Sequence, residues 1–415
     1  MNYPFRLFYL ILCVLCVGRV SQLSGQRLDM KVLGNYRQIA IPFDVENDFI
    51  VIPILLNNLI PLRFIVDTGA ENTVLLDRTM TDLLNVNYMR TFEVRGSDLT
   101  QTLKAHLATG VNMRLADRLL ARNRSILVLE ENYFNLERVT GTTVHGILGA
   151  DFLMRFIVEF DFRRQVMILH DPSDFKLPRS YTEVPADFVR NRPFIYLDIG
   201  VLSAEPIRRR LLLDTGAGLS LLMHTQTDSS QIDLPRQTIP TYIASGLGGT
   251  LEGSVGRSRY VSLADRDMSN VITYFQNMDS TEYSIVSERA GIIGNQILRR
   301  FRVLIDYVHR RVYFRPEGGR WKRKFRFDRS GLSILAGGSN LRSFAISNVV
   351  PGSPADEAGI QVGDRIRTVN GVPVTLLSLE SILRKLQKKP GKRIRMRLYR
   401  AGRLFEVEFR LRNLI

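Results

Sequence analysis

Residues 64–75 read FIVDTGAENTVL, and residues 211–222 read LLLDTGAGLSLL. In both, an apolar run ends on an aspartate, Asp67 or Asp214, and a Thr-Gly-Ala turn follows. The two turns are 147 residues apart, and they are not the only repeated text. RLADR at 114–118 returns as SLADR at 262–266, and HGILGADFLMRF at 145–156 returns as AGIIGNQILRRF at 290–301. VEFDFRRQVMIL at 158–169 returns as VLIDYVHRRVYF at 303–314. Four blocks in one order at near-constant offset mark a duplicated unit of about 145 residues. Two copies are too few for a solenoid. They predict a two-lobed body with a pseudo-twofold axis.

Each unit reads as mostly strand. VIPILL, RFIVDTG, SILVLE, FIVEFDF and QVMIL are short, rich in β-branched and aromatic residues, and bounded by Asn, Gly or Pro. ADFLMRF and NQILRRF, each after a glycine, are the main helical signals. The stretch 173–193 is rich in Pro and polar residues and predicts a connection between a first lobe at 30–172 and a second at 194–316.

A lone aspartate at a strand end is usually solvated. Here both emerge from apolar strands, and a pseudo-twofold axis would bring them face to face. Gly69 and Gly216 are expected to permit a tight turn with positive φ. Thr68 and Thr215 are placed to hydrogen-bond across the axis and hold the loops in register. Two carboxylates sharing a site cannot both ionise easily, so one keeps its proton. Such a pair can hold a water, deprotonate it for attack on an amide carbon and protonate the other side of the substrate.

On these residues, about 40–316 resembles the retropepsin-like aspartic peptidases. In that family Asp-Thr-Gly-Ala forms the catalytic loop, and a later apolar-apolar-Gly helix packs beneath it, matched here by Ile147-Leu148-Gly149 and Ile292-Ile293-Gly294. The resemblance implies a catalytic pair, Asp67 and Asp214, supplied by one chain, with water as nucleophile and no metal or organic cofactor. It also implies a β-hairpin flap. The second-unit candidate is IASGLGGTLEG at 243–253, with Gly246, Gly248 and Gly249; the first-unit candidate is 94–105. No Gly-Lys-Ser/Thr follows those glycines, which argues against a phosphate loop. The five histidines show no zinc-ligand spacing, and no Gly-x-Ser-x-Gly elbow occurs. Asp161 and Asp306 recur across the repeat ahead of basic turns and read as structural.

The tail has another character. SGLSIL followed by VVPGSPADEAGIQVGDRIRTVNGVPV makes about 326–412 resemble a PDZ domain of the bacterial protease-associated kind, β-rich with two helices. The resemblance makes Gly331, Leu332, Ser333 and Ile334 the loop that takes a C-terminal carboxylate, the ligand adding as an edge strand. Ser333 stands where Gly is more usual. A PDZ fold that only packs against the lobes is the plainer alternative. A basic linker is expected at 317–325.

The opening MNYPFRLFYLILCVLCVG has Arg6 and an apolar run too short for a comfortable membrane span, so 1–25 reads as a signal peptide, with retention as an anchor the alternative. Both cysteines, Cys13 and Cys16, lie within it, which leaves the mature chain none. Export without disulfides points to a bacterial periplasm or envelope rather than a small secreted scaffold. From Pro316 onward 21 Lys/Arg stand against 8 Asp/Glu, so +13 of the net +16 sits in the tail. No nucleic-acid motif accompanies that charge, and no nucleic-acid partner is expected. The expectation is a mainly β, two-lobed aspartic endopeptidase plus PDZ domain, acting on polypeptides and binding protein C-termini. The rival is a non-catalytic peptide-binding adaptor on the same folds.

Overall fold

The computed structural model describes residues 29–33, 36–95, 102–202, 205–227, 230–232, 234–246, 249–277 and 289–415. The expected signal peptide and Gly248 lie outside them. Among them no helix is long and apolar enough to cross a membrane.

The chain is mainly β, and the duplication is visible as two sheets built alike. In the first, Ile60–Val66 runs between Phe49–Leu56 and Gly146–Leu148; in the second, Ile207–Leu213 runs between Arg192–Gly200 and Gly291–Ile293. In each, the strand that delivers the aspartate pairs antiparallel on one side and parallel on the other. The parallel registers are Val66 opposite Leu148 and Leu213 opposite Ile293. These strands are apolar throughout their last three residues because both faces are covered (Phe64 to Val66, Leu211 to Leu213, all at most 2% exposed). The repeated Leu-Ala-Asp-Arg is a hairpin turn in both copies, with Ala116-Asp117 and Ala264-Asp265 all at positive φ.

A third sheet of six strands ties the lobes together. At its centre Ile157–Asp161 from the first unit pairs antiparallel with Phe301–Asp306 from the second, Ile157 opposite Asp306. Arg302 crosses this seam. It donates to Glu159 at 2.9 Å and to Glu317 at 2.9 Å, and also contacts Asp161. Tyr181 and His170 add hydrogen bonds to Glu159 at 2.8 and 2.9 Å. Burial pushes the Glu159 carboxyl up, but these donors and the Arg302 charge outweigh it and bring it down to about 2. Asp161 also accepts from the Arg163 and Arg164 amides, and Asp306 from the His309 amide, so both aspartates are structural. The lobes are braced again where Asp48 meets Arg299 and where Arg190 lies 3.7 Å from Glu71.

Two boundaries differ from expectation. The supposed connection 173–193 carries strands: Thr182–Val184 joins the shared sheet, and Ala186–Val189 joins the second lobe. The stretch 317–325 is not a free linker. Phe325 is buried in the lobe core under the guanidinium of Arg300, which lies 3.5 Å from the ring centroid.

The tail folds around its own core, with strand order Leu332–Gly337, Ser343–Val349, Arg365–Val369, Arg393–Arg400, Arg403–Arg410. Its two α-helices each begin at a serine cap. Ser353 caps Pro354–Glu357, accepting from the Asp356 amide at 3.3 Å, and Ser378 caps Leu379–Leu386.

Candidate active site

Asp67 and Asp214 meet at the seam, each fully buried. Four features shape the loops that carry them. First, the Asp67 amide donates to the Leu148 carbonyl and the Asp214 amide to the Ile293 carbonyl, both at 3.0 Å, extending the parallel pairing past the strand end. Second, Thr68 and Thr215 reciprocate across the axis. Each amide donates to the other's Oγ1 at 3.0 Å; Thr68 Oγ1 donates to the Leu213 carbonyl at 2.6 Å and Thr215 Oγ1 to the Val66 carbonyl at 2.8 Å. Third, the helices Ala150–Leu153 and Asn295–Leu298 start against the turns, Ala150 N donating to Ala70 O and Asn295 N to Ala217 O. A side chain at Gly149 or Gly294 would run into backbone there, which is why each apolar pair ends in glycine.

The fourth feature corrects the sequence reading. Gly69 and Gly216 do not have positive φ. They are glycine because each lies under the opposite lobe's carboxylate. A Cβ on Gly216 would stand 2.2 Å from the Asp67 Cγ, and one on Gly69 would stand 2.8 Å from the Asp214 Cγ.

Each aspartate aims Oδ1 at its own turn. Asp67 accepts from the Gly69 and Ala70 amides at 2.8 and 2.9 Å, and Asp214 from the Gly216 amide at 2.7 Å. The Oδ2 atoms are buried and receive no donor from the other described residues. With one proton between them, the two carboxyls hydrogen-bond to each other. Burial first, and then the Asp214 charge, hold the Asp67 carboxyl well above the usual carboxylate range. Asp214 is also raised by burial, against the hydrogen bond to Asp67 and the positive charge of buried Arg289. The pair therefore holds one proton and one negative charge between its two carboxyls, and its titration belongs to the pair.

Two contributors escaped the sequence reading. Arg289 acts on Asp214 through charge, and nothing in its local sequence announces it. Asn295, 1% exposed, donates Nδ2 to the Thr215 carbonyl at 2.6 Å and so steadies the second turn only, since Ala150 holds the equivalent place in the first lobe. Comparing the two copies at that position was the available signal.

Of the flap candidates, Ile239–Gly246 and Gly249–Leu263 form a hairpin closing with Gly246 opposite Gly249. Asn87–Arg95 and Thr102–Leu115 form its first-lobe counterpart, whose tip at 96–101 is outside the described residues. In the tail, Gly331 has φ 82, and Leu332 to Ile334 begin the edge strand. The leading amides of that loop are already used inside the domain. Gly331 N donates to Asp328 Oδ1 at 2.7 Å and Leu332 N to Ser330 Oγ at 3.1 Å. Burial pushes the Asp328 carboxyl up to about 6.

Residues 52–152 match the aspartyl protease family model, and residues 346–400 match the PDZ domain model, so the chain carries both domains. Among solved structures it is similar to basic 7S globulin from soybean, with 10% identity over 68% of this chain and 95% of that one and a TM-score of 0.42. Conglutin gamma from lupine seeds gives 10% identity over 68% and 96%, with a TM-score of 0.42. A photosystem II D1 C-terminal processing protease gives 27% identity and a TM-score of 0.19; the chain spans 23% of its length, using 20% of its own. No curated protein matches the sequence.

Proposed function

We propose that the protein is an exported aspartic endopeptidase of the bacterial envelope, with a PDZ domain that binds the C-termini of substrates or partners. The observation that carries the catalytic reading is the facing pair of buried carboxylates, one from each copy of the repeat. Each is cleared by the opposite lobe's glycine, and each keeps Oδ2 without a donor among the other described residues. A merely structural pair of buried acids would have hydrogen-bond donors on those atoms.

The chemistry follows from the shared proton. A water between the Oδ2 atoms loses a proton to the ionised carboxylate of the pair as its oxygen bonds to the substrate amide carbon. The protonated carboxyl gives its proton to the carbonyl oxygen, and a neutral gem-diol results. Proton transfer to the amide nitrogen then lets the C–N bond break, leaving a carboxylic acid and an amine. The rate profile belongs to the pair, a bell whose limbs are macroscopic.

Denatured protein is incubated with the wild-type chain and with Asp214→Asn, and the fragments are read by mass spectrometry. Internal cuts are expected from the wild type and not from the variant. Equal cutting by both, or none by either, overturns the reading in favour of the adaptor.

A further inference from the structure

The strand Leu332–Gly337 is the edge of the PDZ sheet, paired among the described residues on one side only, with Ser343–Val349. Leu332, Ile334 and Ala336 enter the PDZ core. Leu335, on the opposite face and 3% exposed, belongs instead to the apolar cluster of the first lobe, with Leu136, Val139 and Ala70. The lobe's short helix Leu136–Thr140 packs directly on this edge strand. Gly141 ends that helix at φ 75 and lies against the PDZ helix Leu379–Leu386; a Cβ built on it would be 2.9 Å from the Leu379 Cβ. The edge strand and the helix Leu379–Leu386 also pack on each other. The first lobe therefore touches both walls of the edge where a PDZ-type domain adds a peptide strand.

We infer that the segment 136–141 of the first lobe is a built-in competitor for the PDZ peptide edge, so that lobe docking and capture of a peptide C-terminus exclude each other. The inference rests on the PDZ reading above. Its consequence is quantitative. Only the undocked fraction binds, and the apparent Kd exceeds the intrinsic one by the inverse of that fraction. Undocking also withdraws Leu335 from the cluster that includes Ala70, whose amide holds Asp67. Peptide capture thereby reaches the first catalytic loop.

Gly141→Asn tests this, because asparagine tolerates the left-handed turn while its Cβ crowds Leu379. The probe is a hexapeptide with a free C-terminal carboxylate, selected by panning a C-terminal display library on the full-length Gly141→Asn chain. Its Kd is measured on the full-length wild type and variant, with the amidated peptide as control. At least tenfold tighter binding to the variant is expected, and loss of binding on amidation. A second arm uses Gly141→Cys with Leu379→Cys in a Cys13→Ser, Cys16→Ser background, since the Cβ spacing is about 1 Å short of what a disulfide takes. Oxidation should abolish binding and reduction restore it. Equal affinity for wild type and Gly141→Asn, with binding undiminished in the cross-linked chain, overturns the competition while leaving the PDZ reading intact. Failure of the panning to yield any carboxylate-dependent peptide overturns the PDZ reading and the competition with it.

Discussion

At Gly216 one missing methyl group sets the distance between two carboxylates. The demand is stricter than at Gly69, where the clearance is 0.6 Å larger, 2.8 against 2.2 Å to the facing Cγ. Gly216→Ala should therefore push Asp67 off its partner and lower kcat/KM by about 10²-fold or more, on the scale general acid–base groups contribute, with Gly69→Ala the milder. Equal or reversed losses would contradict this. The pair also stores repulsion. Both carboxyls have raised folded-state values, so the folded chain binds protons more tightly than the unfolded one. That favours folding most below the unfolded aspartate value of about 3.9, and the contribution is lost as pH rises through the folded values. Asp214→Asn should thus raise Tm at pH 7, with the gain shrinking towards pH 3.5; a gain that grows in acid would be the wrong sign. The Asp-Thr-Gly-Ala text made these residues legible. The reason for its glycine was not, because the clearance is a relation between lobes with no local signature.

Among the elements, the apolar strands that end in aspartate and the Leu-Ala-Asp-Arg turns could be read directly, since period and turn chemistry are local. The strands Thr182–Val184 and Ala186–Val189 could not. They are three and four residues long, lie in Pro-rich polar text, and exist because neighbouring strands offer them free edges. The partnership of Arg302 with Glu159, Asp161 and Glu317 was equally hidden, being 141 and 143 residues distant for the first-unit acids. Its side chain is 15% exposed, and its partners are 10% or less. Arg302→Met removes the cation that three acids share at the centre of the shared sheet, leaving Glu317 to Arg315, Asp161 to the more exposed Arg164 and Glu159 to His170. It should cost about 3–5 kcal/mol, as removal of one member of a buried ionic group does, read as a lower urea midpoint together with reduced activity. An unchanged midpoint would mean the seam does not depend on it.

For the whole molecule, the duplication makes one chain do what a symmetric pair of chains would do. The Thr68–Thr215 exchange, the shared sheet and the Asp48–Arg299 contact are all intramolecular. Specific activity should therefore stay constant on dilution, whatever association the PDZ domain brings; a fall in parallel with dimer dissociation by sedimentation would show that the dyad needs a second chain. The central claim is that Asp67 and Asp214 are one catalytic unit sharing a proton. A double-mutant cycle on kcat/KM addresses it directly, with Asp67→Asn, Asp214→Asn and the double variant assayed on one peptide. Groups acting as a unit are strongly non-additive. Each single change should remove nearly all of the activity, and the double variant should sit within about tenfold of either, because the second loss has nothing left to remove. Losses that multiply, or one single variant close to the wild type, would contradict the shared-proton dyad.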